Sequence, residues 1–265
     1  MLIAFLLCAV AAYAAAAGLT WRHLRAGASP WPTRIAAAAA ICLHTLVLAV
    51  TMLHAHSVVI GVGGALSLFA WQAALLLWLF SLRQPLASLG LAVYPLAALG
   101  MLAAAALSPG ARTAEIPELP LQIHILLSLL AYGLLTLAAA QALVLAIQHR
   151  QLHNHRPAGL HSGLPSLETM ESLLFRLIAA GFFLLTLAIV SGAVFLENPF
   201  AQHLVHKTVL SLLAWVFFGV LLWGHLRHGW RGRLAVFWTA GGYAVLALAY
   251  FGSKVVLEQI LGEHW

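Results

Sequence analysis

The sequence predicts an all-α, polytopic integral membrane protein with eight transmembrane helices and both termini outside. Three observations carry this. The chain is 63% apolar and only 8% charged, with a mean hydropathy of +0.97, a composition foreign to soluble domains. Its apolar residues fall into eight stretches, each about long enough to cross a hydrocarbon core as a helix. The basic residues are also unevenly shared. With spans alternating in direction, Arg22, Arg25, Arg34, Arg83, Arg150, Arg156, Arg176, Arg227, Arg231 and Arg233 fall on one side, and only Arg112, Lys207 and Lys254 on the other. Ten against three makes the first side the inner one. In a bacterium this places the protein in the inner (cytoplasmic) membrane, as a single domain over residues 1–265.

The first span covers residues 2–19. It reads as a retained helix rather than a signal peptide, because Arg22 and Arg25 follow the apolar run instead of preceding it. Pro30 and Pro32 interrupt the helix before the second span, 35–53. A polar turn with His54, His56 and the glycines Gly61, Gly63 and Gly64 leads to the third span, 65–82. Arg83-Gln84-Pro85 separates it from the fourth, 86–107, and a loop with three prolines, 108–120, follows. The fifth span, 121–147, has no charged side chain until Arg150. The longest polar segment is 149–172. In it Pro165-Ser166 reads as a helix start, with Ser166 as N-cap and Glu168 in the first turn. The sixth span is 173–196, the seventh 203–226, and the eighth runs from 234 to about 260.

Several function classes drop out on composition. A net charge of +6 from basic residues scattered over short loops is no nucleic-acid stripe. Cys8 and Cys42 lie inside apolar segments with no Cys-x-x-Cys, so thiol exchange, thiolate metal sites and covalent haem attachment have no motif. No pair of spans shows the acidic coupling site or broken-helix symmetry of a transporter.

The fifth span carries the most chemistry. Steps of four from His124 reach Ser128, Tyr132 and Thr136, which puts an imidazole and three hydroxyls on one flank of an apolar helix. Such a seam faces protein or a ligand rather than lipid, and either helix packing or ligand contact satisfies it. The fourteen histidines divide by depth. His149, His153, His155 and His161 lie in the inner polar segment, where a solvated loop accounts for them more simply than a metal site. His44 lies mid-span, about 15 Å from the inner end of the second helix, and needs a partner. His225 sits near the inner end of the seventh span, while His124 and His264 are both outer. Two such pairs, His44 with His225 and His124 with His264, match the axial sets of haem iron. Lys207 and Lys254 break the charge rule on the outer side. Either they snorkel, or they neutralise haem propionates beside His124.

Residues 117–132, Pro-Glu-Leu-Pro-Leu-Gln-Ile-His-Ile-Leu-Leu-Ser-Leu-Leu-Ala-Tyr, resemble the segment of CcsA/ResC/CcmC-like cytochrome c assembly proteins that bears an external haem-ligand histidine. Phe175-Arg176, Gly181-Phe182, Leu185-Thr186 and Ser191-Gly192-Ala193 resemble the family's next helix. Leu222-Trp223-Gly224-His225 and Gly229-Trp230-Arg231-Gly232-Arg233 are similar to the helix end with an inner ligand histidine, and Ala249-Tyr250-Phe251-Gly252 to the last span. The likeness is strongest over 117–265 and is greatest with the shorter YpjD/HemX-like branch.

The resemblance implies His124 as first external ligand, His264 as second, and His225 as inner ligand, with His44 the candidate for the remaining place. Tyr132, Lys207 and Lys254 join them around the cofactor. The family's Trp-rich outer motif has no counterpart, since residues 197–207 contain no tryptophan or aspartate. The resemblance therefore implies a haem-handling protein that is not a complete synthase. Its partners would be the lipid bilayer and other cytochrome c assembly proteins or apocytochrome. The rival expectation is a non-enzymatic membrane scaffold or regulatory partner that keeps the fold without haem.

Overall fold

The computed structural model describes residues 2–54, 57–60, 62–106, 112–115, 118–153, 165–195 and 205–252. Eight helices long and apolar enough to cross a membrane dominate it: α1 (Leu2–Ala26), α2 (Trp31–Met52), α3 (Val62–Ser81), α4 (Gly90–Ala106), α5 (Leu119–His153), α6 (Leu167–Phe195), α7 (Val205–His228) and α8 (Gly232–Ala247). A 3-10 turn, Ala87–Leu89, leads into α4, and a π-helical turn, Leu248–Gly252, continues α8.

Helix ends differ from the sequence expectation where nothing forces a stop. α1 continues about two turns past residue 19, because Thr20–Ala26 holds no breaker and cations suit a helix C-terminus. It ends where Gly27 takes φ 62°, the left-handed conformation that closes helices. α2 starts at Trp31 with Pro32 inside its first turn, where no backbone N–H is required.

The two segments read as a polar turn and a proline loop also pair with each other. Strands β1 (Leu53–His54), β2 (Ser57–Ile60) and β3 (Arg112–Glu115) form an antiparallel sheet in that order, with Val58 opposite Ala114. The run Ser57-Val58-Val59-Ile60 is β-prone, and pairing satisfies backbone groups that a loop would leave to water.

The chain divides into two compact units. The N-terminal unit comprises Met1–Ile116 with Arg150–Ser166, and the C-terminal unit Pro117–His149 with Leu167–Trp265. In the N-terminal unit α1 packs on α2 and α4, and α3 on α2 and α4, a closed four-helix ring. Buried Ala9, Ala16, Ala37, Ala40, Ala73, Ala74 and Ala97 let these backbones approach, as packing inside lipid requires. α3 and α4 approach closely at Gly63, where a Cβ would lie 2.7 Å from the Ala104 Cα.

In the C-terminal unit α6 packs on α7 and α7 on α8. α5 meets α6 where a Cβ on Gly181 would strike the Leu135 side chain at 2.8 Å, and the Gln141 amide donates to the Met170 carbonyl at 3.0 Å. Large apolar side chains are exposed on both units, among them Ile3, Ile35, Leu96, Phe183, Val194 and Phe237, the outward face of helices solvated by lipid.

Candidate functional site

The polar seam on α5 is present, and it ties α5 to each other helix of the C-terminal unit. Tyr132 hydrogen-bonds Ser211 on α7 and meets Tyr250 edge-on, with ring centroids 6.1 Å apart. Thr136 donates to the Tyr132 carbonyl at 2.7 Å, so its oxygen is left to accept from the Tyr243 hydroxyl of α8 at 3.0 Å. His124 reaches α6, where its Nδ1 lies 3.0 Å from Ser191 Oγ.

The Ser191 contact fixes the chemistry of His124. Ser191 Oγ–H donates to the Ala188 carbonyl at 2.9 Å, so the hydroxyl has only lone pairs to offer the ring. With the Ser191 proton on Ala188, Nδ1 is the donor in this pair and Nε2 is the nitrogen left with the lone pair. An imidazole whose second nitrogen is pinned in this way is the usual form of a metal-ligating histidine.

His225, near the end of α7, is held by the same device with different parts. Its Nδ1 donates to the Trp230 carbonyl at 3.0 Å, and its ring stacks on Phe175 of α6 with centroids 3.5 Å apart and planes 15° off parallel. The sequence builds the turn that supplies this carbonyl. Gly229 at φ 64° closes α7, with its N–H on the His225 carbonyl at 3.1 Å. The Trp230 ring then folds over Gly224, where any Cβ would sit 2.3 Å from it. Gly232, at φ 59°, gives its N–H to Glu171 Oε1 at 2.9 Å. Glu171 and Phe175 are one turn apart on α6, so one face of that helix grips both the turn and the ring. Phe175 and Ser191 are separated by about 24 Å along α6, so His124 and His225 occupy opposite ends of the C-terminal unit.

His44 belongs to the N-terminal unit and is fully buried. Its Nδ1 lies 3.1 Å from the Tyr13 hydroxyl and its Nε2 2.8 Å from Ser67 Oγ. Tyr94 stacks on Tyr13 at 6.3 Å. Each of the four helices α1–α4 thus contributes one residue to one closed polar cluster, and both nitrogens of His44 are engaged inside it.

The remaining sequence candidates are placed as follows. Lys207 lies half-buried in the first turn of α7. His264 and Lys254 fall outside the described residues, as do His155 and His161 of the inner histidine group. His149 and His153 end α5, and among the described residues no three His, Cys, Asp or Glu side chains gather to hold a metal.

Sequence reasoning missed Ser191, Phe175, Glu171, Tyr13 and Ser67 as partners. Ser191 and Phe175 lie in segments that carry the family likeness, and Glu171 is one of only seven acidic residues in the chain, so each had a usable signal. Tyr13 and Ser67 had none.

A family model described as cytochrome C assembly protein matches residues 31–261. Among curated relatives, the inner membrane protein YpjD of Escherichia coli K12 is 41% identical over 138 residues, covering 52% of each chain. The CcsA cytochrome c biogenesis protein of a Picosynechococcus strain is 28% identical over 124 residues, covering 46% of this chain and 37% of its own. The chain thus spans about half the length of the first of these relatives. No solved structure matches. The eight spans and the likeness to YpjD make this an integral inner-membrane protein.

Proposed function

The chain belongs to the cytochrome c assembly protein family, and from that premise we propose that it binds or handles haem in the membrane without being a complete synthase. The observation that carries this is His124, whose Nδ1 is committed to α6 so that Nε2 offers its lone pair. The donor chemistry suits haem, since a neutral imidazole nitrogen is the commonest axial ligand of its iron. His225 offers a second such nitrogen at the other end of the unit. His44 would have to give up one of two hydrogen bonds to serve, so this reading leaves the inner place to His225. His264 would be the partner of His124, and Lys207 and Lys254 would neutralise propionates, with Tyr132 beside them. When bound, the haem supplies the iron; the protein supplies nitrogen ligands, positive charge and an apolar enclosure.

The sequence 197–207 lacks the tryptophans and aspartate with which synthases of this family hold haem for delivery, so apocytochrome or other assembly proteins would complete the task. The decisive experiment is the absorption spectrum of protein purified from haem-replete cells. His124→Ala should remove or shift the Soret band while the protein stays folded. An unchanged band would assign His124 to packing, whereas wild-type protein with no Soret band would favour the scaffold reading. That rival has its own support, because Tyr132 and Thr136 both tie α5 to neighbouring helices. The orientation belongs to the same proposal: reporters fused after Arg156 should behave as cytoplasmic and after Trp265 as external, and the reverse would undo the division of histidines into inner and outer.

A further inference from the structure

Residues 1–114 contain five arginines and not one aspartate or glutamate. Four of those arginines gather at one end of the N-terminal unit. Arg22 and Arg25 lie in the last turns of α1, Arg34 in the first turn of α2, and Arg83 just past α3. Arg34 Nη2 donates to the Ser81 carbonyl at 3.0 Å, and Trp78 Nε1 donates to the Arg34 carbonyl at 3.0 Å, which joins the start of α2 to the end of α3. A Cβ on Gly90 would lie 3.0 Å from Thr20 Oγ1, which sets the start of α4 beside the last turns of α1.

Among the described residues, the partners found for the charge at this end are soft ones. Arg25 lies over the Trp21 ring at 5.0 Å and Arg34 over Trp31 at 5.6 Å. Cation–π contacts and a carbonyl stabilise a guanidinium but do not neutralise it. Arg34 is moreover at a helix N-terminus, where the peptide dipoles already place positive charge. Beside it the Thr33 hydroxyl is buried with no hydrogen-bond partner among the described residues. What this end lacks is an anion rich in acceptors. The apolar groups mixed with the arginines narrow the choice: Trp31 is 64% exposed, Ile35 66% and Leu82 42%. A free anion would leave them uncovered, whereas a headgroup with acyl chains covers both kinds of surface.

We propose that the arginine end of the N-terminal unit binds the phosphate headgroups of anionic phospholipids, with Arg34 at its centre and Arg22, Arg25 and Arg83 around it. Guanidinium forks match phosphate oxygens in bidentate geometry, and exposed tryptophans settle at headgroup depth. This inference stands apart from the haem reading and needs none of the histidines.

Native mass spectrometry of the full chain, released from detergent and titrated with phosphatidylglycerol or phosphatidylcholine, tests it. The wild type should prefer phosphatidylglycerol, and Arg34→Gln/Arg83→Gln should weaken that binding by about tenfold, the effect of losing a charge-assisted hydrogen bond. Arg22→Gln/Arg83→Gln removes only exposed side chains and should weaken it similarly, which keeps the test valid if loss of the Ser81 contact unfolds the first variant. Arg176→Gln/Arg227→Gln, equal in charge but placed in the C-terminal unit, should leave the phosphatidylglycerol affinity unchanged. Equal affinity for the two lipids, equal weakening by the control pair, or displacement of the lipid by millimolar inorganic phosphate would each overturn the proposal.

Discussion

The two units both place a histidine among four apolar helices, yet they use its two nitrogens differently. In the N-terminal unit His44 is fully buried, and both nitrogens bond hydroxyls from neighbouring helices. In the C-terminal unit His124 and His225 are half-buried, and among the described residues each is hydrogen-bonded through Nδ1 alone, to Ser191 or the Trp230 carbonyl. A doubly bonded imidazole acts as a cross-link. One bonded at Nδ1 alone is an oriented base with a bare lone pair. The same residue type therefore reads as architecture in one unit and as a candidate ligand in the other, and the difference lies wholly in the second nitrogen.

Four substitutions break or sharpen this contrast. His44→Leu should have the largest effect, because it strands the buried Tyr13 and Ser67 hydroxyls, and it should cost about 3 kcal/mol. Thermal unfolding in detergent measures it, and a variant with unchanged Tm would deny His44 its cross-linking role. Gly224→Ala should cost about 2 kcal/mol, since the new methyl meets the Trp230 ring and must push the turn away. It should also change the rate at which diethyl pyrocarbonate modifies His225 while leaving His124 alone, and equal rates for both would mean that the turn does not hold the ring.

Glu171→Gln preserves shape but replaces a charged acceptor of the Gly232 N–H, an expected loss of about 1 kcal/mol with a smaller change in His225 modification. Ser191→Ala should be the mildest for stability, at about 0.5 kcal/mol. Its signature is chemical instead: nitrogen NMR should show His124 no longer confined to the Nδ1–H tautomer. If haem is bound, its affinity should fall about tenfold, as for other residues that orient a ligating ring. A tautomer unaltered in Ser191→Ala would remove the distinction drawn between the units.

Much of this was legible in the sequence because membrane spans are written in long runs. The eight apolar stretches and the start of α6 after Pro165-Ser166 needed only counting. The seam from His124 to Thr136 needed only a step of four. The likeness beginning at residue 117 even coincides with the boundary of the C-terminal unit.

What stayed hidden depends on how one helix is rotated against another. No spacing rule links Tyr13 to His44, 31 positions on, or His124 to Ser191, 67 positions on. The small sheet was missed because two segments far apart in sequence satisfy each other's backbone, and each alone looks like a turn. The Trp230 carbonyl was missed because a main-chain acceptor carries no side-chain signature.

The cluster around His44 also bears on how the protein is made. Its partners come from the helices immediately before and after it in the chain, Tyr13 on α1 and Ser67 on α3. As helices enter the membrane in order of synthesis, α2 would carry an imidazole into lipid, an unfavourable state for any helix alone. Pairing with α1 at once satisfies Nδ1, so a hairpin of α1 and α2 is the smallest unit that can wait in the bilayer. Nε2 remains open until α3 arrives, and its capture by Ser67 rewards that helix for docking in one rotation and no other. The residue that closes the finished unit thus also sets the sequence of its assembly.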